Sequence, residues 1–70
     1  MTKRFAIGDP VGWNSEAGHI RGKVVAIHAR DFTFLGQARH ASRDEPQYEV
    51  KSDKTGHLAA HKGSALTPIG

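Results

Sequence analysis

Along the chain, apolar and polar positions alternate in short runs, and no helical period is sustained. Turn-forming clusters punctuate these runs: "GDP" at 8–10, "NSEAG" at 14–18, "RDEP" at 43–46, "SDKTG" at 52–56, and Gly63. That spacing predicts a small all-β domain. From Val11 to Ser15 the alternation places Val11, Trp13 and Ser15 on one strand face. The run "HIRGKVVAIHA" is the longest predicted strand, with Ile20, Val24 and Ala26 on one face and His19, Arg21 and Lys23 on the other. Val25 and Ile27 interrupt the polar face, which predicts cover on both sides towards the strand's end. Gly22 inside the run predicts a bend or a bulge, since glycine weakens a regular strand.

"FTFLGQAR" reads as a strand or one arm of a ragged hairpin, and "QYEVKS" alternates most cleanly, with Tyr48 and Val50 on one side. "SDKTG" predicts a hairpin turn with Gly56 at a positive φ, returning through "HLAAHK". "GSALTPIG" predicts a helical turn capped by Ser64, with Leu66 and Ile69 plugging one end of the fold. Five short strands, the second one bent, with a terminal turn, describe an all-β, SH3-like barrel covering about residues 5–69. The predicted core is Val11, Ile20, Val24, Phe34, Val50, Ala60 and Leu66.

Composition narrows the picture. Seventy residues make one domain, 1–70, because a second core would lack apolar surface. No cysteine is present, which removes disulfides, thiolate zinc sites and cysteine nucleophiles, and the expected compartment is the cytoplasm. The apolar stretch near the start is cut by Gly8, Asp9 and Pro10, too early for a signal-peptide core, and no apolar run is long enough to span a membrane. The net charge of +3 is compatible with a polyanionic partner and equally with a mildly basic soluble surface.

The runs "GDPVGWNSEAGHIRGKV", "EPQYEVKSDKTG" and "AAHKGSAL" together resemble the Tudor-like domain of hypervirulence-associated proteins, a family of small bacterial and fungal domains. The resemblance extends from about Phe5 to Leu66, and "YEVKSDKTG" followed by "AAHK" is its most specific part. It implies a Tudor or SH3-like barrel and brings no catalytic mechanism. The Tudor name also suggests, by analogy of fold alone, methylated lysine or arginine as ligand.

Catalytic chemistry finds little support. Of the histidines, His19, His28, His40, His57 and His61, none lies in a nucleophile arrangement, and no serine sits at a nucleophile elbow. His57 and His61 share a strand face but would stand about 13 Å apart, too far for one metal ion. Surface or half-buried imidazoles are the plainer reading. No phosphate-cradling loop occurs, and no cofactor is expected. Two binding readings stay open. In the first, a protein or peptide docks on a rim built from Trp13, Asn14, Tyr48, His61 and Lys62. Trp13 and Tyr48 would there wall an aromatic site, with Asn14 or Asp53 as its polar side. Against this, Trp13 would simply cover the barrel end, facing inwards with Val11. In the second, nucleic acid binds without sequence preference through Arg21, Lys23, Arg30 and Arg39, beside Phe32 and Phe34. Those phenylalanines are also wanted for a core this small. The expected species is a monomer or weak homodimer.

Overall fold

A computed structural model describes residues 4–16 and 18–69. Among the described residues seven strands form: β1 (Pro10–Ser15), β2 (Gly18–His28), β3 (Phe32–Phe34), β4 (Gln37–Arg39), β5 (Gln47–Ser52), β6 (Leu58–Lys62) and β7 (Thr67–Pro68). A single 3-10 turn, Gly63–Ala65, links β6 to β7. Five strands make one antiparallel sheet in the order β6-β5-β2-β1-β7, while β3 and β4 pair only with each other. The fold is all-β, as the alternation predicts, and Tudor-like, as the resemblance implies. The fifth strand of the sheet, however, is β7 rather than the "FTF" run, which forms its own hairpin.

The linkage between β6 and β7 dictates the sheet's shape. In a flat sheet these two strands would lie four spacings of about 4.8 Å apart, roughly 19 Å. A 3-10 turn rises about 2 Å per residue, so the few residues from Lys62 to Thr67 span only about 10–12 Å. The sheet must therefore roll until its two edges approach. Among the described residues no ladder pairs β6 with β7, so the roll stays unclosed along that seam. Leu66, 1% exposed, sits at the joint and fills the concave side with Val11, Trp13, Val24, Tyr48 and Val50. Ser64 lies inside the 3-10 turn and is not its cap; Lys62 occupies that position without a side-chain cap bond.

β2 changes phase part-way. Its register with β5 slips between Val24 and Ala26, leaving Val25 unpaired as a bulge. Before the bulge Ile20, Gly22 and Val24 face the core; after it Ile27 stands opposite Tyr48, while Ala26 and His28 turn outwards opposite Glu49 and Gln47. The expectation that Ala26 shares a face with Ile20 and Val24 fails for this reason. The outer face beyond the bulge is covered by the β3–β4 hairpin: Phe32 stacks on His28 with ring centroids 3.8 Å apart, and His28 Nε2 lies 2.6 Å from Glu49 Oε1. Phe34 is buried there, apart from the main core cluster. Gly22 serves close approach rather than the bulge. A Cβ on it would lie 2.0 Å from the Lys51 carbonyl oxygen and 2.8 Å from the Trp13 ring.

Candidate functional site

β2 is longer than its partner β5: residues 18–20 pair with β1 alone, and Arg21 O still accepts from the Asp53 N–H (3.0 Å) just past β5. The β1–β2 hairpin therefore projects past β5 as an arm, with Trp13 and Ile20 cross-strand partners on its inner face. Opposite stands the β5–β6 hairpin, whose turn is drawn in by hydrogen bonds from Ser52 N–H to His57 O (2.9 Å) and from Gly56 N–H to Ser52 O (2.9 Å). Gly56 adopts φ +75°, the conformation expected of it. Between arm and hairpin lies a groove of about 1090 Å³.

Its base is apolar: the Trp13 ring, Ile20 and Ala59, with Leu58 45% exposed at the side. Trp13 itself is 4% exposed, so its body belongs to the core and only an edge reaches the groove. The His61 ring lies 6.1 Å from it, tilted by 45°. Burial, and secondarily the Arg39 guanidinium, hold the His61 pKa below the usual imidazole value. The polar rim comprises Asn14, whose Oδ1 lies 3.2 Å from His19 Nδ1, together with Asp53, Lys54 and His57.

The sequence-derived rim is thus divided. Trp13, Asn14 and His61 come together along this groove. Tyr48 does not join them: it is 1% exposed, its hydroxyl accepts from the Phe5 N–H at 3.2 Å, and its ring meets Phe5 edge-on at 5.4 Å. It faces a separate cavity of about 460 Å³ beside Arg4, Phe5 and Ile27. The cause is register. Tyr48 stands opposite Ile27 and Trp13 opposite Ile20, so the two aromatics lie towards opposite ends of β2. Lys62 is likewise outside the groove, turned to the other face of β6 by strand alternation, with Nζ 3.5 Å from Glu45. A two-aromatic cage from Trp13 and Tyr48 does not form.

The basic residues are also dispersed. Arg21 and Lys23 lie exposed on the outer face of β2, and Arg30 is exposed in the bend after it. Arg39 is half-buried, its guanidinium carbon 6.0 Å from the Phe34 ring centroid. Among the described residues no cluster of histidines and carboxylates is arranged to hold a metal ion, and no helix is long and apolar enough to cross a membrane. Ile20 and Leu58 were not read as site residues. The signal for Ile20 was present, since pairing Ser15 with Gly18 sets it directly opposite Trp13.

The family model of the TUDOR domain of hypervirulence-associated proteins matches residues 8–66. The chain belongs to that family. The match covers both walls of the groove in this TUDOR domain, from the β1–β2 arm to Leu66. No curated protein and no solved structure matches it to a significant degree. Domains of the Tudor type are in general non-enzymatic binding modules, for proteins, peptides or nucleic acids.

Proposed function

We propose that this TUDOR domain is a non-enzymatic interaction module that holds a segment of a partner protein in the groove between the β1–β2 arm and the β5–β6 hairpin. The observation that carries this reading is the groove's construction: an apolar base of Trp13, Ile20 and Ala59 within a polar rim of Asn14, His19, Asp53 and His57. Apolar floors with a few convergent polar groups are the usual make-up of binding sites. Titrating labelled protein with a panel of unrelated extended peptides tests it by amide shift mapping. Shifts should concentrate at Trp13, Asn14, Ile20 and Leu58, and Ile20→Ser should weaken them while Val25→Ser leaves them intact. Shifts confined to the β3–β4 hairpin, or none with any peptide, refute the reading.

A second reading, nucleic-acid binding, is favoured by one observation. Lys23 and Lys51 are direct cross-strand partners on the outer face, a like-charge pair that an anion would relieve. Arg21 and Lys23 would lead such binding, with Arg30 at the margin. Affinity for mixed oligonucleotides should then fall steeply with salt as counterions are released. No binding at low salt removes this alternative.

A further inference from the structure

We propose that the second cavity, beside Tyr48, binds a carboxylate carried on a short apolar stem. This site shares no lining residue with the groove and stands independently of the docking reading. Phe5, Ile27, Ala29 and Pro46 give the cavity apolar walls, and Ile27 is left 41% exposed. Into it faces a hydrogen-bond donor with no partner. The Tyr48 oxygen accepts from the Phe5 N–H at 3.2 Å, but among the described residues no acceptor meets its own proton. Tyr48 is 1% exposed, and a buried donor left unmet is costly. An acceptor atom seated in the cavity removes that cost.

The rim selects an acceptor that is charged. Arg4 reaches across it, Nη2 donating to the Arg43 carbonyl at 2.8 Å, which fixes the guanidinium at the mouth. The bend that carries Arg43 and Asp44 is itself pinned, with Ser42 N–H donating to Glu45 O (3.2 Å) and Glu45 N–H to Ser42 Oγ (3.1 Å). Among the described residues neither arginine is held in an ion pair; the pairs present are His28–Glu49, His40–Asp31 and Lys62–Glu45. Asp44 offsets one of the two cations, so the lining sums to +1. One carboxylate balances that sum, and its two oxygens match the guanidinium fork. A doubly charged phosphate exceeds the sum and leaves the apolar walls uncovered. An ammonium group would meet two guanidinium groups and a hydroxyl whose lone pair is already engaged. Two ligands present the required chemistry: a free aliphatic acid, and a peptide C-terminus that follows an apolar side chain.

Amide shift mapping of the full chain tests the assignment with isocaproate, isocaproamide, isoamylamine and inorganic phosphate. Isocaproate should shift the amides of Phe5, Ile27 and Tyr48 and leave those of Trp13 and Ile20 in place; the amide and the amine should not. Arg4→Gln, at an exposed position, and Tyr48→Phe should each weaken isocaproate on the order of tenfold. Tyr48→Phe also deprives the Phe5 N–H of its acceptor, so circular dichroism checks its fold, and Arg4→Gln carries the test if that variant unfolds. Acetyl-Ala-Ala-Leu with a free C-terminus separates the two sources: tighter binding than isocaproate assigns the site to chain ends, weaker binding to free acids. Isocaproamide binding as tightly as isocaproate, phosphate binding more tightly at the same amides, unchanged affinity in either folded variant, or no shift with either acid overturns the proposal. None of these outcomes bears on the groove.

Discussion

Single residues in this domain carry more than one constraint, and Gly22 shows it best. Its hydrogen faces the Lys51 carbonyl and the Trp13 ring, at distances no Cβ tolerates. The carbonyl belongs to a paired strand and cannot withdraw cheaply. Gly22→Ala should therefore destabilise the fold by about 3 kcal/mol, read as a drop in urea midpoint with an unchanged slope. Trp13→Ala removes a buried ring and should cost about 3–5 kcal/mol, which makes it a stability variant rather than a binding probe. His61 has a different consequence. Its pKa is lowered in the folded state, so below the ordinary value of 6.5 the unfolded chain binds more protons than the native one. Stability contributed by the neutral imidazole is thus complete above that value and declines as pH falls beneath it. Urea midpoints taken from about pH 8 down to about pH 5 should show this fall, and His61→Gln should flatten it. Identical profiles for both proteins would show that His61 is not the group responsible.

At the scale of elements, the β3–β4 hairpin holds an unusual residue in its turn. Leu35 adopts φ +50° and Gly36 φ +79°, and the pair lies between the partners Phe34 and Gln37. Two successive positive φ angles define the type I′ hairpin turn, which favours Asn-Gly. A leucine there is strained, and its side chain is 78% exposed, so packing offers no compensation. Leu35→Asn should stabilise the domain by about 1 kcal/mol, seen as a raised thermal midpoint. "LGQ" gives no hint of such a turn, which is why the segment reads as a ragged arm. The elements with clean alternation were legible. Tyr48 and Val50 alternate inwards on β5, Gly56 turns the hairpin, and β6 returns as its partner. The bulge was not legible in position, because Val24-Val25-Ala26 offers three apolar residues and nothing marks which one is left unpaired. That one-residue slip decides whether Ile27 or His28 shares a face with Tyr48. The rim expected from Trp13 and Tyr48 failed for a related reason. Alternation tells which face a side chain occupies, but not which end of a rolled sheet it reaches.

For the molecule as a whole, the joint between β6 and β7 is where the roll is fixed. Leu66 is 1% exposed and packs into the cluster that contains both Trp13 and Tyr48, so it supports the groove's floor and the opposite cavity together. Leu66→Ala should cost about 2–5 kcal/mol in chemical denaturation, and what native protein remains should show altered Trp13 fluorescence. Fold class and most core positions were accessible from the sequence because a core this small leaves the alternation little choice. The groove was not, because it arises between an arm and a hairpin that are separate in the chain and meet only after the sheet has rolled.

The pairing of β1 with β7 bears on time as well as shape. Val11 and Gly12 meet Pro68 and Thr67, so the last ladder joins residues near the two ends of the described chain. Such distant pairings are entropically late and slow in forming. During synthesis the arm and both hairpins emerge before the strand that completes β1, and until Thr67 appears Gly12 presents an unmet edge. The finished sheet thus waits on its last strand, and folding in milliseconds to seconds is the expected regime for so non-local a topology.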